Sequence, residues 1–264
     1  MLANRLIACF DVKDGRVTKA QQFQDNIDVA PAEELAARLY DDQIDEIVFY
    51  DITASAEKRA IDLETVRNVA HHVFVPFTVG GGIRSVDDMF AVLKAGAEKI
   101  SVDSMAVRNP QILRDGANAF GRQCIVLSTQ VKHVGVKPGL PSGYEVFIDG
   151  ARLATGLDAL DWVRRGEDLG AGEIVVNSID RDGTASGYDL DVTRAVADAV
   201  NVPVIASGGA GTVEHIADGL TAGGAQAAII SSILYSPRFD RNLGVRELKE
   251  GLAAHGVPMR PYLD

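Results

Sequence analysis

The second half of this chain repeats the first. Residues 75–82, VPFTVGGG, return as residues 202–209, VPVIASGG, and residues 45–51 match residues 172–177 in the same way. The period is longer than that of common solenoid repeats, so it indicates a doubled half-domain. Each copy ends a strand-like run in a glycine-rich loop that is suited to an anion. Two such loops related by internal symmetry predict a substrate with a phosphate group at each end.

The charge and hydropathy of the chain limit its partners. A formal net charge of -11 argues against nucleic acid and against anionic membranes, because both are repelled by a negative field. No apolar run is long enough to cross a bilayer, and the first residues do not resemble a signal peptide, so we expect a cytoplasmic protein. Cys9 and Cys124 lie in apolar runs and are expected to be buried, reduced thiols.

Short apolar runs alternate with amphipathic segments along the whole chain. The predicted strands are 6–10, 46–50, 77–79, 99–102, 124–129, 173–177, 204–206 and 228–230, and the predicted helices include 32–40, 86–94, 158–169, 190–200 and 213–220. Continuous apolar runs are typical of parallel strands that are buried on both faces. Eight βα units in two similar halves predict an α/β fold, the (β/α)8 TIM barrel. An open doubly wound sheet is the alternative, but it would not explain the repeat.

No linker or change of composition separates the two halves. The 264 residues are a usual length for one (β/α)8 barrel. We therefore predict a single domain over residues 1–264, with half-barrels of about 1–120 and 121–264.

Two connections are longer than the others. Residues 14–30 are polar and lack periodicity, which predicts a mobile active-site loop after the first strand. Residues 132–156 contain a Pro/Gly-rich turn followed by an alternating run, which predicts an inserted β-hairpin after the fifth strand. Both lie on the face at the strand C-termini, where barrels of this type carry their chemistry.

Acidic residues follow three of the predicted strands. Asp11 and Asp51 end the first and second strands, and the sixth strand leads into Asp180 and Asp182. Loop capping is one explanation for each aspartate alone. Carboxylates that converge on one barrel mouth favour general acid–base catalysis, and we include Asp51 among the substrate-binding residues.

Glycine-rich loops also lie on this face. Gly80, Gly81 and Gly82 precede a predicted helix start near Ser85, so backbone N–H groups and a helix N-terminus meet. Residues 207–211, together with Ser231 and Ser232, form a similar arrangement on the opposite side. Both loops follow strands that commonly bind phosphate in such barrels.

Four charged residues stand at the starts of strands, at the other end of the barrel: Arg5, Glu46, Lys99 and Glu173. Buried charges are costly unless they are paired, and here two bases meet two acids. A salt-bridge ring that plugs the barrel is one interpretation, and a polar gate to an internal passage is the other. The histidines lack a metal-ligand spacing, so we expect neither a metal nor another cofactor.

Taken together, these motifs resemble the cyclase subunit of imidazole glycerol phosphate synthase, a (β/α)8 barrel of histidine biosynthesis. The similarity covers essentially the whole chain and rests on residues 7–15, 51–55, 77–83, 178–184 and 205–211. The resemblance implies a lyase that takes ammonia from a glutaminase subunit docked at the N-terminal face of the barrel, through the four charged residues. The implied substrate is a bis-phosphorylated ribulosyl-formimino aminoimidazole carboxamide ribotide. The implied products are imidazole glycerol phosphate and aminoimidazole carboxamide ribotide.

The resemblance also implies roles for individual residues. Asp11 would be one of two acid–base carboxylates, and Lys19 would contact the substrate. One phosphate would be held by Gly82, Asp103 and Ser104, and the other would lie at Asp182, Gly183, Gly209, Ser231 and Ser232.

The chain departs from the family pattern at the second carboxylate. The end of the fifth strand holds Gln130, the repeat counterpart of Asp11, since each is followed by Val-Lys. Asp103 also stands where a neutral asparagine is usual. Glutamine cannot exchange a proton near neutral pH, and loss of a positioned acid or base typically costs ~10²–10⁴ in rate. We therefore expect Gln130 to limit the cyclase reaction, and Gln130→Asp to raise its rate.

Two other functions are compatible with the sequence. The sister ribotide isomerase of the same pathway shares the doubled barrel and the bis-phosphate ligand but needs no ammonia gate. A cyclase-family paralogue with weakened or altered activity would bind, or aminate, another phosphorylated substrate.

Overall fold

Eight parallel strands close into a barrel in the computed structural model, which describes residues 3–21, 24–54, 57, 59–237 and 241–263. The barrel strands are β1 (Arg5–Lys13), β4 (Glu46–Asp51), β5 (Phe77–Gly80), β6 (Lys99–Val102), β7 (Ile125–His133), β10 (Glu173–Ser178), β11 (Val204–Ser207) and β12 (Ala227–Ile230). Each strand pairs in parallel with the next, and β12 pairs with β1, so the sheet has no open edge. The predicted (β/α)8 barrel is confirmed, and the open sheet is wrong.

Helices alternate with the barrel strands and form the outer layer. They are α1 (Ala32–Asp41), α2 (Leu63–Ala70), α3 (Val86–Lys94), α4 (Ser104–Arg108), α5 (Gln111–Phe120), α6 (Ala159–Asp168), α7 (Leu190–Ala199), α8 (Val213–Leu220), α9 (Ser232–Tyr235) and α10 (Val245–Ala254). Side chains at the N-caps of five helices accept hydrogen bonds from backbone N–H groups of the first turn: Asp62, Ser85, Asp158, Asp189 and Thr212. In the described part of the chain, no helix combines the length and apolar character needed to cross a membrane.

The segment after β1 differs from the sequence prediction. In the described part of residues 14–30, β2 (Arg16–Gln21) and β3 (Gln24–Pro31) pair as an antiparallel ribbon, where an irregular loop was predicted. Because β2 also pairs with β1, β1 continues past Asp11 to Lys13 instead of ending there. The ribbon escaped prediction because its polar residues show no alternation, although Val17 is fully buried.

The insertion after β7 agrees with the prediction. β8 (Tyr144–Ile148) runs antiparallel to the end of β7, and β9 (Leu153–Asp158) runs antiparallel to β8. The first strand of each half thus extends beyond the barrel wall and carries an antiparallel ribbon. Both ribbons stand over the same mouth.

The core has two layers. The larger layer lies between the strands and the helices, and a smaller apolar cluster fills the inside of the barrel. The inner cluster contains Ile7, Cys9, Val48, Val126, Val175, Ile205, Ala227 and Ile229. Both cysteines are free thiols; Cys9 is buried, but Cys124 is only partly buried because it ends a 3-10 turn before β7.

Candidate active site

Asp11 and Lys19 form an ion pair at the C-terminal mouth of the barrel. Asp11 lies where β1 begins to pair with β2, and Lys19 comes from β2 itself. Lys19 Nζ donates to Asp11 Oδ2 over 3.0 Å, and Lys19 is only 7% exposed. Burial lowers the pKa of Lys19, but the surrounding negative groups, Asp11 foremost, outweigh burial and raise the pKa above its usual value. Lys19 therefore keeps its charge beside the carboxylate.

Asp182 lies close to this ion pair, in the loop between β10 and α7. Its backbone N–H donates to Ser178 O over 3.0 Å, which fixes the turn after the strand. Burial raises the pKa of Asp182, Lys19 opposes the increase, and Asp11 adds to it. One lysine thus acts electrostatically on two carboxylates from different strands. Asp180, in contrast, accepts a hydrogen bond from the backbone N–H of His133, at the end of β7.

Gln130 and Asp103 are in direct contact on another side of the mouth. Gln130 lies within the buried run of β7, and Asp103 follows β6, which is the neighbouring strand. Gln130 Nε2 donates to Asp103 Oδ2, and Gln130 is 7% exposed. Burial raises the pKa of Asp103 to about 7, and the hydrogen bond from Gln130 opposes this increase only partly. The site therefore contains a carboxyl group that titrates near neutral pH.

The two predicted phosphate sites fall on opposite sides of the mouth. Gly82, Asp103 and Ser104 follow the neighbouring strands β5 and β6. The second set follows β10, β11 and β12, which lie across the barrel in the strand order: Asp182, Gly183, Gly209, Ser231 and Ser232. Ser104 and Ser232 begin the short helices α4 and α9, which follow corresponding strands of the repeat.

Close backbone approach explains why glycine is needed in both loops. Gly82 and Gly209 have φ of 75° and 108°, in the left-handed region that favours glycine. A Cβ atom at Gly82 would lie 2.7 Å from the Ala54 Cβ, and one at Gly209 would clash with the Gly187 carbonyl oxygen. The glycines thus bring backbone to the mouth where a side chain would block it.

Asp51 is held by residues of the loop that follows β4. It is 3% exposed, and its carboxylate pairs with the Arg59 guanidinium through two hydrogen bonds of 2.7 Å. It also accepts hydrogen bonds from the backbone N–H groups of Thr53, Ala54 and Asp62. These partners engage both carboxylate oxygens, so Asp51 organises this loop, and its role in substrate binding stays a prediction.

The four charged residues at the N-terminal end of the barrel form a closed ring of ion pairs. Arg5 contacts Glu46 at 2.6 Å and Glu173 at 3.0 Å, and Lys99 contacts the same glutamates at 2.9 and 3.0 Å. Thr78 Oγ1 donates a further hydrogen bond of 3.0 Å to Glu46. Burial lowers the pKa of Arg5, but Glu173 and Glu46 raise it overall.

A narrow cavity lies inside the barrel, directly beyond this ring. Glu46 and Thr78 line one end, Tyr50 lines the other, and apolar side chains of the inner cluster form the walls. Tyr50 lies near the mouth, where its hydroxyl contacts Ser101 Oγ at 3.3 Å. Glu46 of the ring and Tyr50 thus line the same small cavity.

Several residues at the mouth were not predicted from the sequence. Tyr50 and Asn177 occupy equivalent positions in the repeat, four residues after Glu46 and Glu173. The repeat could therefore have indicated that both residues lie at the mouth. The Asn177 Oδ1 atom is buried and has no partner among the described residues. Tyr235 packs edge-on against Phe10, and its hydroxyl donates to the Cys9 carbonyl oxygen, but no sequence motif indicates this contact.

The fold and the site define a (β/α)8-barrel enzyme with acid–base groups at its mouth, and comparison with known proteins gives its family. Residues 5–240 match the family described as histidine biosynthesis protein. The chain is 54% identical over 260 residues to the imidazole glycerol phosphate synthase subunits HisF of Solidesulfovibrio magneticus and Desulfovibrio desulfuricans, covering 98% of this chain and 99% of each relative. It is 50% identical over 263 residues to HisF of Desulfatibacillum aliphaticivorans, covering 100% of both chains. The chain belongs to the family of HisF subunits of imidazole glycerol phosphate synthase.

Proposed function

We propose that this protein is the cyclase subunit of imidazole glycerol phosphate synthase, a lyase of histidine biosynthesis. Ammonia and the ribulosyl-formimino aminoimidazole carboxamide ribotide would give imidazole glycerol phosphate, aminoimidazole carboxamide ribotide and water. The single observation that carries the proposal is the mouth itself, where acid–base groups lie between two glycine loops on opposite sides. A substrate with phosphates at both ends would span these loops and place its reacting carbons over the carboxylates.

The chain is 50–54% identical to HisF subunits over essentially its full length, which favours the cyclase over the sister isomerase. The closed charge ring and the cavity behind it also favour a reaction that needs ammonia, since an isomerase has no use for an internal passage. Apolar walls suit neutral ammonia, because transfer of the ammonium ion into such surroundings is costly.

The proposal includes a glutaminase subunit at the N-terminal face of the barrel. Phe74, in the connection that leads into the N-terminal end of β5, is 78% exposed. Leu263 is also exposed on this face, and its backbone N–H donates to Gln43 Oε1 just before β4. Exposed large apolar side chains beside the entrance to an internal passage are suited to a protein interface. Docking there would release ammonia directly at the Arg5–Glu46–Lys99–Glu173 ring.

Binding of the cognate glutaminase can be tested with matched phenylalanine variants. Phe74→Asp is expected to weaken the heterodimer at least tenfold, because it places a charge in the apolar centre of the interface. Phe90→Asp, on α3 in the outer helix layer, is the control and should bind normally; Phe90 is 57% exposed. Calorimetry with purified subunits measures both. Equal affinities of the two variants would place the partner elsewhere.

Gln130 supports a second candidate, a paralogue that binds or aminates a different phosphorylated substrate. Turnover of the ribotide with an ammonium salt separates the two functions without a glutaminase. Cyclase rates within the usual enzyme range of roughly 1–10³ per second support the proposal. Tight binding of the ribotide without turnover would favour the paralogue.

A further inference from the structure

The repeat counterparts Asp11 and Gln130 pose a chemical problem at the mouth. Asp11 provides an ionisable carboxylate, whereas the amide of Gln130 neither gives nor takes a proton near neutral pH. On the proposed function, on which this inference rests, the ammonia nitrogen forms a bond to the ribulosyl carbonyl carbon and the carbonyl oxygen leaves as water. A second carbon–nitrogen bond at the formimino carbon then expels the aminoimidazole amine. Both leaving groups gain protons, which come from the ammonia nitrogen and from the methylene carbon next to the ribulosyl carbonyl, since this carbon must lose one proton for the imidazole ring to form.

A carboxyl group lies in contact with the amide at this point. Gln130 Nε2 donates to Asp103 Oδ2, so the two side chains meet across the ends of the neighbouring strands β7 and β6. Gln130 is more than nine-tenths buried, and its Oε1 has no partner among the described residues. Asp103 follows β6 at the C-terminal mouth and is partly buried as a residue. The amide of Gln130 holds its carboxyl group through Oδ2.

We propose that Asp103 is the second catalytic carboxyl group of this enzyme, and that Gln130 is the residue that positions it. Asp103 would give its proton to a leaving oxygen or nitrogen and take one back from the ammonia-derived nitrogen, so that the group is regenerated in each cycle. The chain would thus retain two acid–base groups, Asp11 in the first barrel strand and Asp103 directly after the fourth.

An amide suits this positioning role better than a second carboxylate would. It donates through Nε2 to an ionised Asp103, and after rotation it accepts through Oε1 from a protonated Asp103. An aspartate at residue 130 would instead place two carboxylates in contact, which repel each other when both are ionised. The pKa of Asp103, about 7, matches a group that gives and takes protons near neutral pH.

Other charged groups near Asp103 leave this assignment unchanged. Asp149 raises and Arg108 lowers the Asp103 pKa, and these two residues form an exposed ion pair with each other. The Tyr50 hydroxyl is also nearby, but burial raises the Tyr50 pKa above its usual value, so the phenol stays neutral. Burial therefore remains the main influence on the Asp103 pKa.

The decisive experiment is ammonia-dependent turnover of the ribotide by the wild type, Asp103→Asn and the exchanged double variant Asp103→Asn/Gln130→Asp. Asp103→Asn is expected to lower kcat about 10²–10⁴-fold with KM changed less than threefold, since it removes a proton donor and little volume. The double variant moves the carboxylate across the contact and should regain at least tenfold. Gln130→Asp alone should raise kcat less than threefold, contrary to the expectation from the sequence.

The pH dependence of kcat separates catalysis from charge effects, provided that free ammonia is held constant at each pH. The wild-type profile should contain an ionisation near neutral pH that Asp103→Asn lacks. Gln130→Met should shift it upward, because the hydrogen bond from Gln130 lowers the Asp103 pKa. Asp198→Asn, an exposed residue on α7, is the control and should match the wild type.

The outcomes distinguish this inference from the proposed function. An active wild type whose kcat is unchanged by Asp103→Asn, or whose KM alone falls because a charge next to a phosphate is removed, overturns the role of Asp103 and leaves the cyclase function intact. A wild type that does not turn over the ribotide at any pH overturns both.

Discussion

The two ends of the barrel differ in how their buried charged side chains are paired. At the N-terminal end each glutamate contacts two cations, so Glu46 and Glu173 are fully compensated within the ring. At the C-terminal mouth Lys19 pairs with Asp11, while burial raises the pKa values of Asp103 and Asp182. Carboxyl groups whose pKa is raised towards neutral pH are suited to giving and taking protons. The comparison therefore assigns passage or closure to one end and proton chemistry to the other.

The largest expected effect lies at the mouth. Asp11→Asn should lower ammonia-dependent kcat about 10²–10⁴-fold, because it removes an acid–base group while keeping the side-chain volume. Stability should also fall, because the buried Lys19 would lose its counter-charge. Steady-state kinetics and urea unfolding of the same preparations measure both quantities. A variant that loses stability but retains kcat would show that this mouth carboxylate is structural, like those of the ring.

At the ring, a loss of stability is expected without a loss of kcat. Glu46→Gln should lower the free energy of unfolding by ~3 kcal/mol, because Arg5 and Lys99 would lose a buried counter-charge. Ammonia-dependent kcat should remain near the wild-type value, since free ammonia also reaches the open mouth. Urea unfolding followed by tryptophan fluorescence gives the stability. Loss of ammonia-dependent activity without loss of stability would contradict the division between the two ends.

The same comparison shows what the sequence could predict. The barrel, most of its strand positions and the membership of the ring follow from apolar periodicity and the repeat, because these features reflect burial that recurs along the chain. The β2–β3 ribbon was missed since Val17, Thr18 and Lys19 are consecutive and all buried, which conceals the strand alternation. The pairing of Asp51 with Arg59 was not predicted, because Arg59 comes from an irregular loop with no motif. Side-chain partners depend on tertiary geometry that periodicity does not encode.

The contact between Gln130 and Asp103 is an intermediate case. Adjacent strands in a barrel bring their C-terminal ends together, so the predicted strand order already placed residues 103 and 130 near each other. The sequence places an amide at one of these positions and a carboxylate at the other. Only the structure shows that the two side chains are in contact.

The smallest expected effect is a change in the free energy of unfolding. Its sign should differ between variants at the two ends of the barrel. Burial raises the pKa of Asp103 to about 7, well above that of an aspartate in an unfolded chain. The folded protein therefore binds a proton more tightly than the unfolded chain, and this stabilisation is lost as the pH rises from about 4 through 7. Asp103→Asn removes this pH dependence, so at pH 8 its free energy of unfolding should be about 2 kcal/mol higher than that of the wild type. Glu46→Gln should instead lower the free energy of unfolding.

Urea unfolding at pH 5 and pH 8, in buffers without phosphate or sulfate, measures this difference. The gain in stability of Asp103→Asn over the wild type should be clear at pH 8 and should shrink at pH 5, where Asp103 is protonated in the folded wild type. Asp198→Asn, whose exposed side chain pairs with Arg194, controls for the loss of one negative charge and should show no such trend. A variant that is less stable than the wild type at pH 8 would mean that Asp103 is stabilised as a carboxylate, as the ring glutamates are, and the contrast between the two ends would fail at this residue.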